Sequence, residues 1–559
     1  LDGPWRAIID PYQTGYIGLT GEPTPRGWFR DFKPRTESDR IEYDFDRSMV
    51  LQVPSDWNTQ HPELHYYEGT LWYRKKFTVN DPEAGRTFVH FGAVNHTCRV
   101  YLDGDELAFH QGGFGPFAVE LTGRLSPGEH SLILMVDAMR APDRVPAMRT
   151  DWFNFGGVHR SVSLVRVPDT FITSAWLTMD RDGQVVGQIE CDGPNAEAVE
   201  ATITIAELGV QLSVPTGQRF TIAEEALGDI ERWHPGRPTL YDVTFSIPGD
   251  QVTEPVGFRT LEVHGTDIVV NGEPVFLKGI SLHAEGPSGG RRASGPDDAA
   301  TLLQWAQDLG ANFVRLGHYQ HDEAMVAEAD RRGLLVWAEL PVYWGIDWTN
   351  PDTLENALEQ ADELVVRDRC HPSVALWSVA NETLPGEDRT NFLRALIDRV
   401  RELDDTRLIT AALFTLPGQG IETHIDDPLG PFIDVIGVNQ YYGWYYGDRE
   451  DIPHLTWSSD FNKPIIFSEL GAGAKAGNHG SPTQIWTEEF QAAVYDAQIA
   501  MIANQPDCAG LSPWILKDFR TPVRVLPGIQ DGYNRKGLVS EEGERKLAFE
   551  TLAAWYRTL

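Results

Sequence analysis

Lysine is scarce in this chain. Only nine of its 47 basic residues are lysines, set against 82 acidic residues and a formal charge of −35 over 559 residues. So acidic a protein repels phosphodiester backbones and anionic lipid surfaces, which excludes nucleic acid and membrane as expected partners. The acidity reads first as a solvating surface and second as adaptation to salty surroundings. Cysteine is scarcer still: Cys98, Cys191, Cys370 and Cys508 have neither metal-ligand spacing nor the density of a disulfide framework, so buried thiols are expected. No run approaches the roughly 18 apolar residues of a membrane-spanning helix, and no apolar signal core follows Leu1. The expectation is a soluble protein without metal or organic cofactor, in the cytoplasm, the periplasm or outside the cell.

What is present is ample apolar material, 41% of residues, in a chain long enough for two to four domains. From residue 1 to 168 short alternating runs are separated by turns, as in 70–77, 99–102 and 131–136, and predict an antiparallel β-sandwich, jelly-roll-like. A second alternating stretch, 169–261, has the size and strand count of an immunoglobulin-like sandwich. From 262 to 559 the pattern changes, and short β-branched runs alternate with stretches of helical spacing. The runs fall at 275–280, 313–316, 334–339, 374–379, 408–412, 435–438, 464–467 and 511–515, with helices expected at 297–309, 353–367 and 544–556. Eight parallel strands close a (β/α)8 TIM barrel.

In such a barrel the chemistry sits where strands end. The fourth run ends Trp377-Ser-Val-Ala-Asn381-Glu382, and the seventh ends Phe467-Ser-Glu469-Leu-Gly471. Two carboxyl groups roughly 5 Å apart across a barrel mouth suit retaining glycoside hydrolysis, one as nucleophile and one as acid and then base. Glu469 and Glu382 are the candidates for these two catalytic roles. Asn381 stands beside them to hold either a sugar 2-hydroxyl or the nucleophile.

The segments 378–382 and 467–471 resemble the acid/base and nucleophile motifs of glycoside hydrolase family 2. Further matches in the family's order are His371 to Glu382, Arg315-Leu-Gly-His318-Tyr319 and Asp151-Trp-Phe-Asn-Phe-Gly-Gly-Val-His-Arg160. The resemblance covers nearly the whole chain. It implies a sugar-binding sandwich, an immunoglobulin-like domain and a catalytic barrel, with a retaining mechanism.

Asn534-Arg-Lys536-Gly537 is similar to the Asn-x-Lys signature by which the family's β-glucuronidases hold a sugar carboxylate. An ammonium and an amide donor favour a C6 carboxylate over a neutral hydroxymethyl. The run Asn439-Gln-Tyr441-Tyr-Gly-Trp-Tyr445 is similar to the family's tyrosine-bearing segment, with Tyr441 toward Glu469 and Tyr445 toward the sugar. This chain departs from those enzymes at Gln440, where they commonly carry arginine, and at Ser468-Glu469-Leu470, where they often have Thr-Glu-Tyr. Trp514 is placed to stack on a pyranose. Arg520 is placed either to reach the carboxylate, galacturonate included, or to pair with Asp518. His283 and His318 end the first two strands as donors to hydroxyls, and the resemblance implies that Asp151 reaches over the barrel to close an exo pocket. The expected partner is an oligosaccharide or glycoside ending in a β-linked uronic acid, with a homo-oligomer compatible. A neutral-sugar glycosidase such as a β-galactosidase, and a non-catalytic carbohydrate-binding protein, are the alternatives.

Overall fold

Alternation of apolar and polar residues along the first segment produces strands with one face buried. The computed structural model describes residues 1–24, 34–80, 85–415 and 421–559, which divide into two units. The first unit comprises Leu1–Ala141 and Asn154–Phe171. Its six-stranded antiparallel sheet runs in the order Met49–Val53, Gly3–Ile9, Thr70–Val79, Gly128–Asp137, Thr97–Leu102 and Asp105–Gln111. A three-stranded sheet of Val162–Val167, Arg86–Phe91 and Phe117–Glu120 contributes Val89, Phe91 and Val162 to a core shared with Leu71, Tyr73, Leu134 and Val136.

The second unit comprises Pro142–Phe153 and Ile172–Leu559. Its first part has the immunoglobulin-like arrangement of two small antiparallel sheets, one of Phe171–Met179, Val185–Asp192 and Phe220–Ile222, the other of Val210–Pro215, Glu200–Ile205, Tyr241–Ile247 and Asp250–Val256. Leu177, Ile189, Ile203, Val243 and Phe245 fill the space between them.

The remainder is a closed barrel of eight parallel strands: β1 Leu277–Leu282, β2 Phe313–Leu316, β3 Leu335–Glu339, β4 Val374–Asn381, β5 Leu408–Phe414, β6 Val435–Asn439, β7 Ile465–Glu469 and β8 Cys508–Leu511. The last strand lies earlier than the 511–515 reading. Pro513 has no amide hydrogen to continue a ladder, so Trp514 sits beyond the strand, its amide donating to Leu470 O at 2.9 Å. The final helix, Leu547–Tyr556, starts later than expected because the backbone at Glu544 and Lys546 is held in turns by Ser540 and Leu538.

Side-chain parity explains how the barrel builds a site. Leu277, Phe313, Leu335, Trp337, Leu376, Leu408, Val435 and Ile466 form one cluster, which residues from different strands can do only inside the barrel, whereas their neighbours Val314, Val336, Trp377, Ile436 and Phe467 join the core under the helices. Two residues further along, the inward positions turn polar: Phe313 is followed by Arg315, Trp337 by Glu339, Leu376 by Ser378 and Ile466 by Ser468. Gly437 makes room for the Trp337 ring beneath this layer, since a Cβ there would lie 2.6 Å from it. The barrel interior is thus apolar at its base and charged at its mouth.

Candidate active site

Strict alternation would turn Asn381 and Glu469 away from the mouth. Register shifts at the end of β4, between Ser378 and Asn381, and at the end of β7, where Ser468 is the extra residue opposite Val438 and Asn439 of β6, break that alternation. A one-residue slip exchanges the faces of a strand, so both side chains join the inner polar layer. Glu382 follows at φ +50°, a left-handed conformation that a side chain adopts at some cost, and its amide is held by Ala412 O at 2.8 Å.

Glu382 and Glu469 line one cleft of ≈ 550 Å³, together with Asp151, His318, Tyr441, Tyr445, Trp514 and Lys536. That volume suits a small organic ligand. Asp151 reaches it because Pro142–Phe153 packs with the barrel: Val145 and Ala147 enter the barrel core, and Gln360 Nε2 donates to Val145 O at 2.8 Å.

Beneath the cleft lies Arg315, fully buried. Its guanidinium donates to Glu469 Oε1 at 2.8 Å, Ser468 O at 3.0 Å, Asn381 Oδ1 at 2.7 Å and Glu339 Oε1 at 3.0 Å. Glu339 also accepts from the Trp337 indole at 2.8 Å and Ser378 Oγ at 3.0 Å, and His318 Nδ1 stands 2.6 Å from it. Burial alone would raise the Glu339 carboxyl, but Arg315 and His318 hold it at about 2. Glu469 has a second donor, the Tyr441 hydroxyl at 2.6 Å on Oε2. Burial, then the charges of Glu469 and Glu382, keep Tyr441 protonated far above the usual phenol range.

Glu382 has a sparser environment. Its Oε2 accepts from the Trp344 indole at 2.8 Å. Burial and then the Glu469 charge raise this carboxyl to about 7, against the opposing pull of Trp344, Asn439 and Arg315. Within one cleft, therefore, one glutamate is held by a cation and a phenol while the other is poised to carry a proton near neutrality.

At the far wall Lys536 Nζ donates to the Tyr445 hydroxyl at 2.6 Å and lies 5.1 Å from the Tyr441 ring centre. It is buried, and no carboxylate lies within ion-pair distance of it among the described residues. Burial would raise the Tyr445 phenol, but Lys536 and Arg524 outweigh it and bring it below the ordinary value. Arg524 also lines the cleft, where Asp151 accepts from its Nη2 at 2.6 Å and its Nε at 3.2 Å. Asn534 Nδ2 donates to the same carboxylate at 3.1 Å. Trp514 stacks on His318 with ring centres 4.7 Å apart.

Four residues singled out in the sequence do not line the cleft. Asn381 lies behind it, with Oδ1 accepting from Arg315 and from Asn439 and its buried Nδ2 unpartnered among the described residues. Asn534 stands behind Asp151. His283 ends β1, where Phe519 at 4.3 Å and Trp514 at 5.1 Å enclose its ring and its Nδ1 faces the Tyr319 hydroxyl at 3.1 Å. Arg520 is the fourth. Its guanidinium covers the Phe153 ring at 4.2 Å and donates to Gly290 O at 3.3 Å, while Asp518 pairs with Lys546 at 2.7 Å and Arg535 at 3.2 Å. Conversely, Arg315, Glu339, Trp344 and Arg524 had not been assigned to the site. The first two carry a sequence signal, a charge at an inward position of a buried strand. The other two stand in loops without periodicity.

Among the described residues no group of three or more His, Cys, Asp or Glu side chains could hold a metal, and no helix is long and apolar enough to cross a membrane.

Residues 261–533 match glycosyl hydrolases family 2, TIM barrel domain; residues 27–168 match glycosyl hydrolases family 2, sugar binding domain; and residues 165–259 match glycosyl hydrolases family 2. The chain is 30% identical over 562 positions to a β-glucuronidase of Paenibacillus borealis, covering 90% of this chain and 91% of that one. Among solved structures it is similar to a β-glucuronidase of Faecalibacterium prausnitzii, at 25% identity and TM-score 0.84 over 100% of this chain and 97% of that one. A β-glucuronidase of an uncultured Clostridium gives 27% identity and TM-score 0.83, covering 100% and 97%.

Proposed function

The chain belongs to glycoside hydrolase family 2, and on that premise we propose that it is a retaining exo-β-uronidase, removing a terminal β-linked glucuronic or galacturonic acid. The observation that carries the sugar assignment is the buried ammonium of Lys536, which lines the cleft without a carboxylate partner among the described residues. A buried cation left uncompensated is costly, and a C6 carboxylate is the group that would neutralise it. Arg524 lacks that vacancy, because Asp151 already engages it through both oxygens. The relatives that bear the name β-glucuronidase support the same choice.

The mechanism then follows from the two glutamates. Glu469, ionised and oriented by Arg315 and Tyr441, attacks the anomeric carbon. Glu382, protonated near neutral pH, gives its proton to the departing glycosidic oxygen. The C1–O bond breaks as the C1–Oε bond forms, leaving a covalent glycosyl-enzyme. Glu382, now a carboxylate, takes a proton from water, which attacks C1 and releases Glu469. Trp514 is the stacking face, Asp151 and Arg524 are the contacts to the distal hydroxyls, with Asn534 holding Asp151 in place from behind, and Asn381 positions Arg315 beneath the nucleophile.

p-Nitrophenyl β-D-glucuronide, galacturonide and galactoside separate the readings. The uronides are expected to turn over faster, and Lys536→Ala to lower their kcat/KM about 100-fold while leaving the galactoside rate within a few-fold. A galactoside hydrolysed faster than both uronides would refute the uronidase assignment.

A further inference from the structure

We infer that the leaving-group side of the cleft reads an anion, so that the natural substrate is a uronoside whose aglycone sugar itself carries a sulfate ester or a carboxylate. The residue that reads it is Arg149. This rests on the uronidase reading above, which makes Glu382 the proton donor and thereby identifies the side on which the aglycone departs.

Arg149 is exposed, and its guanidinium lies 5.3 Å from the centre of the Trp344 ring. Trp344 lines the cleft and donates its indole hydrogen to Glu382, so Arg149 stands on the proton donor's side, opposite in role to Lys536. The other cations of the cleft are committed. Arg315 is shared between Glu339 and Glu469, Arg524 is held by Asp151, and Lys536, bonded to the Tyr445 hydroxyl, is the residue assigned to the C6 carboxylate.

Arg149 has the Trp344 ring and no carboxylate within ion-pair distance among the described residues. In a protein with 82 acidic residues an exposed arginine beside a cleft-lining ring has abundant potential partners, and the formal charge of −35 would keep an anionic substrate away unless a local cation received it. The π face holds the guanidinium plane in place, leaving its N–H edge for a bidentate pair with sulfate or carboxylate oxygens.

The test uses matched disaccharides, each a terminal β-glucuronate linked to a neutral sugar, to the same sugar bearing a sulfate ester, or to a second uronate. For the wild-type enzyme an anionic aglycone is expected to raise kcat/KM about tenfold over the neutral one, and Arg149→Gln to abolish that advantage. Whichever anionic disaccharide benefits identifies the group as sulfate or carboxylate. Equal rates on the neutral and both anionic disaccharides, or an advantage that survives in Arg149→Gln, would overturn the proposal. Failure of the wild-type enzyme to hydrolyse p-nitrophenyl β-D-glucuronide and galacturonide would instead remove the uronidase reading, and this inference with it.

Discussion

The ends of β4 and β7 each deliver a glutamate into the same cleft, in opposite surroundings. Glu469 meets a guanidinium at 2.8 Å and a phenol at 2.6 Å, and the layer beneath it is a closed network in which Arg315 joins Glu339, Asn381 and Ser468. Glu382 meets one indole, stands on a left-handed backbone, and is lifted to about 7 by burial and by its neighbour's charge. Identical side chains thus meet different surroundings: Glu469 is fixed in place by a cation and a phenol, while burial and a neighbouring charge favour the acid form of Glu382. This difference supports the proposed roles, since a nucleophile needs its charge and a proton donor must keep its proton.

Removing either carboxylate tests that assignment most severely. Glu469→Gln is expected to lower kcat by about 10⁵-fold on every substrate, because no covalent intermediate can form. Glu382→Gln should cost about 10³-fold on alkyl and sugar leaving groups but far less on 2,4-dinitrophenyl uronides, whose departure needs no proton. Steady-state rates on that substrate series check both. If Glu469→Gln proved the variant sensitive to leaving-group acidity, the two roles would have to be exchanged.

The closed network makes a second, smaller prediction. Glu339 sits at about 2 in the folded protein and near the ordinary 4.5 when unfolded, so its ionisation stabilises the fold above 4.5 and that contribution disappears as pH falls toward 2. The interval corresponds to about 3 kcal/mol. Glu339→Gln should therefore be markedly less stable than wild type at neutral pH, with the gap closing on acidification, as followed by thermal unfolding. A gap that stays constant down to pH 2 would mean that the Glu339 carboxyl titrates alike in both states.

How far the site could be read beforehand follows the same division. That Glu382, Glu469, Tyr441 and Lys536 line one cleft was legible because each follows a strand or belongs to a compact motif, and position relative to a strand end is a property of sequence. Arg315 and Glu339 were legible in principle, as charges two residues beyond Phe313 and Trp337 on strands with both faces covered, but this needs the inward parity to be known. The register shifts that turn Asn381 and Glu469 inward leave no such mark. His283 and His318 end neighbouring strands alike, and what separates them is Phe519, from a remote part of the chain, closing over one of them. Arg520 alternates within the short ladder Phe519–Arg520 with Tyr533–Asn534 and so meets Phe153, whereas Arg524, in an aperiodic loop, reaches the cleft. The eight-strand count survived because a periodic signal spread over many residues tolerates errors at strand ends, as the displaced eighth strand demonstrates.

The finest distinction between the two glutamates lies in the single indole on Glu382. The Trp344 hydrogen bond favours the ionised carboxylate and so acts against the burial and the Glu469 charge that raise this group to about 7. Trp344→Phe keeps an aromatic ring but deletes the donor, so Glu382 should hold its proton to higher pH. Because Glu382 must be protonated to act as the acid, the alkaline limb of the kcat/KM profile should move upward by about half a unit to one unit. The acidic limb should stay in place, since Glu469 has Arg315 and Tyr441 rather than Trp344 as its partners. A parallel shift of both limbs would show that the indole acts on the pair as a whole, and the separate environments on which the role assignment depends would collapse into one coupled titration.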